Sequence, residues 1–133
     1  MEKAVLLTML SGAMDAREKA YAPYSQFKVG AAVKGESGKV YFGSNVENAS
    51  YSLTICAERS AILRAVFEGE RHIRAMVVVA GEHEIARPCG ACLQVLSEFA
   101  AKDDPPVILA ASTDGSYDVF SLDEYMPMRF DLR

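Results

Sequence analysis

The chain of 133 residues is predicted to fold as one α/β domain, with a central sheet and helices on both of its faces. Three observations support this prediction. The length is that of one ordinary domain, no linker rich in Pro, Gly or Ser divides the sequence, and helical and strand patterns follow one another in the order αββαβαββα. We therefore interpret residues 1–133 as a single domain.

The first predicted elements are a helix and a β-hairpin. Apolar residues recur at spacings of three and four over residues 2–21, which predicts a helix with one apolar face that ends before Pro23. Residues 27–34 and 39–46 are rich in Val, Tyr and Phe and flank a turn that contains Gly, so they are predicted to pair as a hairpin. A polar loop is predicted over residues 45–54.

The second half of the chain alternates helices and strands. A helix is predicted over residues 56–68, with Gly69 as its C-cap. The nearly unbroken apolar run at 73–80 is typical of a strand that is buried on both faces. The remaining predicted elements are a helix at 90–101, two short strands at 107–111 and 117–120, and a last helical turn at 122–125.

Charge and composition exclude several classes of function. The formal net charge is −4 and the Lys and Arg residues are scattered, so the chain lacks the basic surface of a nucleic-acid-binding protein. The apolar run at residues 5–10 is far shorter than the roughly 20 residues that span a bilayer, so no membrane segment is predicted. Three cysteines, an odd number, and the absence of a signal peptide predict a reducing compartment, with the cytoplasm as the default.

All three cysteines lie in two short motifs, Cys56-Ala57-Glu58-Arg59 and Pro88-Cys89-Gly90-Ala91-Cys92. Each motif begins a predicted helix, so two positive helix ends would converge on the sulfurs and favour thiolates. Three thiolates can hold one tetrahedral Zn²⁺ and leave the fourth position open to water. Glu58 would then handle protons for that water, and Arg59 would hydrogen-bond the sulfurs. This spacing is the known signature of zinc-dependent nucleobase deaminases.

Other interpretations of these motifs stay open at this point. A Cys-x-x-Cys pair alone also serves redox enzymes and structural zinc sites, and a single Cys is often a buried apolar residue. A redox pair leaves Cys56 unexplained, and a structural zinc site needs a fourth ligand, which neither His72 nor His83 supplies at zinc-finger spacing. Glu58 in a first helical turn and a solvated Arg59 are also common without a catalytic role.

Three further motifs make the chain resemble the small cytidine deaminases that hold zinc with three cysteines: Tyr24-Ser25-Gln26-Phe27-Lys28-Val29-Gly30, Asn45-Val46-Glu47-Asn48-Ala49 and Thr54-Ile55-Cys56-Ala57-Glu58-Arg59. The resemblance implies a three-layer α/β/α sandwich around a mixed five-stranded sheet. It implies one Zn²⁺ per chain, held by Cys56, Cys89 and Cys92, and a homotetramer whose active sites are completed by neighbouring subunits. The implied reaction is hydrolytic deamination of cytidine and deoxycytidine to uridine and deoxyuridine, a step of pyrimidine salvage.

The resemblance also implies a role for each matching residue. Glu58 is the catalytic acid and base, Phe27 stacks on the pyrimidine, and Asn45 and Glu47 hold ribose hydroxyls. The rest of the implied substrate-binding set is Val46, Asn48, Ala49, Ser50, Tyr51 and Ala57, and the implied contacts to a neighbouring subunit are Tyr24 and Phe130. Without the resemblance, Phe27 would be interpreted as a core residue and residues 45–48 as a turn.

The sequence departs from the usual pattern of this family at two positions. Leu93 stands where Arg is usual, which bears on subunit contacts more than on chemistry, and Ser52 stands where Gly or Pro is frequent. One rival function is a deaminase of the same fold that acts on another aminopyrimidine or on bases in a polynucleotide, and Asn45 and Glu47 speak against it. A second rival is a non-catalytic zinc-binding module, which Glu58 and the missing fourth ligand oppose.

Overall fold

The computed structural model describes residues 1–132, and in that part of the chain it contains five strands and four α-helices. The elements are α1 (Lys3–Arg17), β1 (Val29–Gly35), β2 (Val40–Ser44), α2 (Ala57–Phe67), β3 (Ile73–Ala80), α3 (Gly90–Glu98), β4 (Val107–Ala111), β5 (Tyr117–Ser121) and α4 (Leu122–Tyr125). The predicted order αββαβαββα is confirmed. None of the helices in residues 1–132 is long and apolar enough to cross a membrane.

The five strands form one mixed sheet in the order β2-β1-β3-β4-β5. Strand β1 pairs antiparallel with both β2 and β3, and β4 pairs antiparallel with β5. Strands β3 and β4 are parallel, and α3 forms the crossover that a parallel connection requires. The predicted hairpin of β1 and β2 is therefore present, with Gly30 opposite Ser44 and Lys34 opposite Val40.

Helices cover both faces of this sheet, so the domain has three layers. Leu6 and Met9 of α1 form one core with Val77 of β3. Ile62 of α2 and Leu96 of α3 belong to a second core on the opposite face. Successive side chains along the strands point to opposite faces of the sheet and so contribute to both cores. Each large apolar side chain that is fully buried stabilises the fold by roughly 1.5–3 kcal/mol. The predicted three-layer α/β/α arrangement is confirmed.

Two glycines let the helices approach the sheet closely. A Cβ at Gly30 in β1 would lie 2.0 Å from the carbonyl oxygen of Ala13 in α1. A Cβ at Gly43 in β2 would lie 2.5 Å from the amide nitrogen of Ala61 in α2. Only a residue without a side chain fits such approaches. The second contact fixes the N-terminal half of α2, which carries the first cysteine motif, against the hairpin.

Several elements are shorter than predicted, including β2, which ends at Ser44 instead of residue 46, and α3, which ends at Glu98 instead of residue 101. Two of the differences lie near the site. Helix α1 ends at Arg17 instead of residue 21, since the Tyr21 N–H donates to the Asn45 carbonyl oxygen over 2.9 Å and joins the loop after β2. Strand β1 begins at Val29 instead of residue 27, since Gln26 has a left-handed φ of 57° and turns the chain there. Both differences concern loops that line the site described next.

Candidate active site

The three cysteines meet where two helices begin. Cys56 is the N-cap of α2 and Cys89 is the N-cap of α3, and both have extended backbone angles. Cys92 lies in the first turn of α3 and is buried. The three Sγ atoms lie within 4.8 Å of one another. The fold thus brings together the three predicted metal ligands from segments that are distant in the sequence.

Local sequence explains why these helix starts can lie side by side. Ala57 and Ala61 of α2 are fully buried, so small side chains let this helix pack closely on the sheet. Pro88 precedes the N-cap of α3, where it removes no helical bond because the first N–H groups of a helix have no partner within it. Both helix N-termini carry partial positive charge, which favours anionic sulfur nearby.

The sulfurs also have a cation beside them. The Arg59 Nη2 atom donates to the Cys56 Sγ over 3.3 Å. The pKa of Cys56 is lowered to about 5, mainly because the Cys92 thiol donates a hydrogen bond to it and further because of the Arg59 guanidinium. The same hydrogen bond, together with burial, raises the pKa of Cys92. The cluster therefore already favours a thiolate at Cys56, the form that binds metal.

This set of donors fits Zn²⁺. A tetrahedral site with Zn–S distances of about 2.3 Å places its sulfurs about 3.8 Å apart, which small side-chain adjustments can reach here. The sulfurs of Cys56, Cys89 and Cys92 already lie within 4.8 Å of one another. In the part of the chain that the structure describes, neither histidine belongs to a group of residues that could hold a metal ion. Within residues 1–132 no fourth side chain joins this group, so one tetrahedral position would be left for water.

Glu58 is a buried carboxylate beside the cysteines. It lies in the first turn of α2 and is 5% exposed. Burial raises the pKa of Glu58 to about 6, and the negative charge of Cys56 adds to this shift while Arg59 opposes it. A carboxyl group with a pKa close to neutral can both accept and donate a proton near physiological pH. Glu58 thus has the properties of a general acid and base.

A cavity of about 210 Å³ opens beside the cysteines, and we call it the inner cavity. Phe27 forms part of its wall from the loop between α1 and β1, which we call the Phe27 loop (residues 18–28). Its other lining residues are Val29, Asn45, Thr54, Cys56, Ala57, Glu58, Val78, Ala86, Arg87 and Cys89. Phe27 is 50% exposed, so it is a cavity wall and not a core residue.

A second cavity, of about 340 Å³, adjoins the first, and we call it the outer cavity. Thr54 lines both cavities. The other residues of the outer cavity are Tyr24, Ser25, Glu47 and Tyr51, and the rings of the two tyrosines meet edge to face with centroids 6.2 Å apart. The inner and outer cavities are lined by two of the three cysteines together with Glu58, Phe27, Asn45 and Glu47.

Asn45 and Glu47 also make hydrogen bonds to the backbone of the Phe27 loop. The Asn45 Nδ2 donates to the Phe27 carbonyl oxygen over 2.9 Å. The Glu47 Oε1 accepts the N–H groups of Tyr24 and Ser25 over 2.9 and 3.1 Å. A further hydrogen bond from the Ser25 hydroxyl is the main reason that the pKa of Glu47 is lowered. Glu47 is therefore charged and already oriented beside the outer cavity.

Five of the other predicted site residues do not line these two cavities. Asn48, Ala49 and Ser50 are exposed in the loop between β2 and α2. Val46 is also exposed, and it lines a separate groove between α1 and β2. Phe130 is exposed in the C-terminal tail, where its carbonyl oxygen accepts a hydrogen bond from Gln94. Their predicted contacts to substrate or to a neighbouring subunit stay predictions.

Sequence reasoning missed three apolar residues that line the inner cavity, Val29, Val78 and Ala86, and three polar residues that line the cavities, Ser25, Thr54 and Arg87. Ser25 and Thr54 lie inside the motifs that contain Phe27 and Cys56. Their position beside residues with assigned roles was the signal that could have identified them. Arg87 directly precedes the Pro88-Cys89 segment, and its guanidinium donates to Asp118 of β5 over 2.6 Å. No pattern in the sequence indicated that long-range pair.

Comparison with known proteins identifies the family. Residues 4–105 match the profile described as the cytidine and deoxycytidylate deaminase zinc-binding region. The chain belongs to this family. A cytidine deaminase from Halalkalibacterium halodurans is 42% identical over 122 residues, which cover 92% of this chain and 91% of the relative. A cytidine deaminase from Sporosarcina psychrophila is 50% identical over 91 residues, which cover 68% of this chain and 67% of the relative.

Solved structures of cytidine deaminases share the fold. The crystal structure of cytidine deaminase from Burkholderia pseudomallei aligns with a TM-score of 0.87 at 42% identity, covering 98% of this chain and 100% of that chain. The α/β class and the mixed five-stranded sheet are those of the cytidine deaminase family. The chain is a zinc-dependent hydrolase of this family, and Cys56, Cys89 and Cys92 are the group suited to hold its one zinc ion. The non-catalytic zinc module is excluded.

Proposed function

We propose that this enzyme hydrolyses cytidine and deoxycytidine to uridine and deoxyuridine with release of ammonia. The observation that carries the proposal is the position of Glu58, a buried carboxylate in the same cavity wall as two of the three cysteines. Replacing the amino group of a pyrimidine by oxygen needs a group that moves protons from water to the ring and to the leaving amine. Relatives named cytidine deaminase support the choice of substrate.

Glu58 moves the protons in the proposed reaction. When bound, the zinc ion supplies Lewis-acid chemistry that makes water nucleophilic near neutral pH. Glu58 accepts one proton from the attacking water and donates it to N3 of the pyrimidine, which makes C4 more electrophilic as the C4–O bond forms. Glu58 then carries the second proton to the amino nitrogen, the C4–N bond breaks, and ammonia leaves.

The inner cavity is proposed to hold the base and the outer cavity the sugar. The exposed face of Phe27 is available to stack on the pyrimidine, and Ala57 lines the base site. The carboxylate of Glu47 and the amide of Asn45 are proposed to bind ribose hydroxyls. The remaining proposed substrate contacts come from the loop between β2 and α2, at Val46, Asn48, Ala49, Ser50 and Tyr51.

The decisive experiment compares ammonia release from cytidine, deoxycytidine, cytosine, cytidine monophosphate and an oligonucleotide that contains cytosine. Both nucleosides should react, whereas cytosine should lose up to roughly 10⁴-fold in kcat/KM because Asn45 and Glu47 then lack their sugar partner. The oligonucleotide should fail, because a chain with a net charge of −4 offers its phosphates no basic groove. Equal rates on cytosine, or a preference for the oligonucleotide, would contradict the proposal.

The same assay tests the rival hypothesis that the enzyme is specific for a different aminopyrimidine compound. Blasticidin S is the compound to add, because it carries an aminopyrimidine ring without a ribose. The proposed sugar contacts of Asn45 and Glu47 predict slow reaction with it. Faster release of ammonia from blasticidin S than from cytidine would favour this rival.

We also propose a homotetramer in which Tyr24 and Phe130 contact the active site of a neighbouring subunit. Large apolar side chains that are exposed on the single chain support this assembly, since Phe67 is 85% exposed, Met128 93% and Phe130 65%. Light scattering should give the mass of four chains. Phe130→Ala should lower kcat/KM and leave the zinc content unchanged, whereas a fully active monomer would contradict the proposal.

The proposed location is the cytoplasm, and the proposed context is pyrimidine salvage. Three free cysteines that must stay reduced to bind metal support a reducing compartment. Cell fractionation followed by the cytidine assay tests this, and activity that follows a secreted or membrane fraction would contradict it.

A further inference from the structure

We infer that Ser25 is a positioning residue, which holds Phe27 in place by joining it to Glu47. The inference deepens the proposed function and rests on it, because the ring of Phe27 is assigned there to the pyrimidine. Ser25 lines the outer cavity, yet the hydrogen bonds of its hydroxyl run to protein groups on either side. Its expected effect on substrate binding is therefore indirect.

The hydroxyl of Ser25 bridges two site residues. The Ser25 Oγ donates to the Glu47 Oε2 and accepts the Phe27 N–H over 3.0 Å. The backbone N–H of Ser25 also donates to the Glu47 Oε1 over 3.1 Å. Both bonds to Glu47 end on a charged carboxylate, and such bonds are stronger than neutral ones. One short side chain thus connects the proposed sugar-binding carboxylate to the residue that carries the proposed base platform.

The residue between Ser25 and Phe27 depends on this bridge. Gln26 has a φ of 57°, a left-handed conformation that a residue with a side chain keeps only where surrounding bonds enforce it. On one side the Gln26 N–H donates to the Ala22 carbonyl oxygen over 2.9 Å. On the other side the next N–H, that of Phe27, is held by the Ser25 Oγ. Loss of this hydroxyl removes the bond that fixes the chain directly after the turn.

Asn45 holds the opposite side of Phe27 without help from Ser25. Its Nδ2 donates to the Phe27 carbonyl oxygen and its Oδ1 accepts the Val29 N–H, both over 2.9 Å. Removal of the Ser25 hydroxyl should therefore loosen the N–H side of Phe27 and leave the Val29 N–H protected. This asymmetry distinguishes a positioning role from a general loss of structure.

The first test is residue-resolved amide hydrogen exchange on the zinc-loaded enzyme without substrate. Ser25→Ala is expected to speed exchange at Phe27 by about tenfold, with Val29 unchanged within about twofold. The matched control is Ser11→Ala, which removes an exposed hydroxyl from α1 and should change neither amide. Unchanged protection of Phe27 in Ser25→Ala, or equal acceleration at Val29, would overturn the inference.

The second test is steady-state kinetics with cytidine. Ser25→Ala is expected to raise KM by about five- to thirtyfold, the effect of losing a hydrogen bond to a charged group, and to keep kcat within about threefold because Glu58 and the cysteines are untouched. Ser25→Thr keeps the hydroxyl and should restore both KM and the protection of Phe27. If Ser25→Ala does not fold, Ser25→Thr still tests the inference. A folded Ser25→Thr enzyme with a strongly raised KM would overturn it.

A double-mutant cycle with Phe27→Ala shows whether Ser25 acts through Phe27. In the Phe27→Ala background, Ser25→Ala should change KM by less than about twofold, because the platform is already gone. Independent, multiplicative effects would overturn the inference. Failure of the proposed function looks different: a wild-type enzyme that does not deaminate cytidine refutes the function, and the exchange experiment then still decides the role of Ser25.

Discussion

Two buried glutamates, one at each end of α2, have pKa values that are shifted in opposite directions. Glu58 in the first turn is 5% exposed, and Glu70, just beyond the last turn, is 6% exposed. Burial raises the pKa of Glu58 to about 6, whereas the pKa of Glu70 is lowered. Their side chains are similarly shielded from solvent, so the opposite shifts reflect the surroundings of each carboxylate: burial dominates at Glu58, whereas accepted hydrogen bonds dominate at Glu70.

Glu70 is surrounded by donors. The hydroxyl and the N–H of Ser37 both donate to it, the N–H over 3.3 Å, and the Tyr41 hydroxyl donates over 2.9 Å. These bonds favour the charged form and lower the pKa of Glu70, and they tie the end of α2 to the hairpin. A Cβ at Gly35 would lie 2.1 Å from the carboxyl carbon of Glu70, so the absence of a side chain there leaves room for the carboxylate.

At Glu58 the effect of burial outweighs that of its hydrogen bonds. Its own backbone N–H and the Cys92 thiol lower its pKa, but by less than burial and the negative charge of Cys56 raise it. A buried carboxylate with few donors keeps a pKa suited to proton transfer, whereas one with many donors is a fixed anion that holds structure together. The comparison therefore supports the proposed catalytic role of Glu58 and a structural role for Glu70.

The largest expected effect comes from breaking the metal centre at the Glu58 end. Cys92→Ala should abolish zinc binding and, with it, deaminase activity, because two sulfurs cannot hold the ion as three do. Elemental analysis should find about one zinc per wild-type chain and none in the variant. His72→Ala and His83→Ala serve as controls that keep their zinc, and loss of the ion in either would contradict the three-cysteine site.

Glu58→Gln should lower kcat by about 10²- to 10⁴-fold while the protein keeps its zinc and its fold. The amide keeps the size of the side chain but cannot carry protons. The free energy of unfolding should not fall, since burial disfavours the charge that is removed. The measurement is kcat together with zinc content and a urea denaturation curve. Near-normal deamination by the zinc-loaded variant would remove Glu58 from its proposed role.

The Glu58 end of α2 was predictable from the sequence, and the Glu70 end was not. The motifs around Cys56 and Cys89 are local, because each places its cysteines at the start of a helix, and the first also places Glu58 in the first turn of α2. Glu70 has no such motif, since its donors Ser37 and Tyr41 lie 33 and 29 residues earlier in the chain. Bonds of this kind are set by which strand lies next to which helix, and spacing in the sequence does not encode them.

The same distinction explains which parts of the fold were predicted. Periodic apolar patterns indicated every strand and helix in the correct order, because burial on one or two faces imposes the pattern. The end of α1 and the start of β1 were wrong, because distant contacts to Asn45 and the left-handed Gln26 set them. The link from Ser25 to Glu47 belongs to this second class, and only the folded chain reveals it.

Glu70→Gln should destabilise the protein by about 1–3 kcal/mol, the usual cost of leaving buried donors poorly paired. The amide group would turn a donor toward the hydroxyls of Ser37 and Tyr41. Zinc content and kcat should stay within about twofold of wild type, since Glu70 lines neither the inner nor the outer cavity. Urea denaturation at one fixed protein concentration measures the effect. Glu68→Gln, at an exposed neighbour that pairs with Arg64 across one helical turn, is the control and should change stability by less than about 0.5 kcal/mol.

The smallest expected effect is the pH dependence of the gap in unfolding free energy between the wild-type protein and Glu70→Gln. A carboxylate whose pKa is lowered on folding adds stability above its ordinary pKa of 4.5, and this stability is lost as the pH falls through the lower pKa of the folded state. The gap in the free energy of unfolding between wild type and Glu70→Gln should therefore be constant from pH 7 to about 5.5 and shrink below about pH 4.5. Contributions of the metal centre are common to both proteins at each pH and cancel in the difference. A gap that widens in acid would mean that Glu70 is protonated more readily in the folded state, which would place it with Glu58 and undo the comparison.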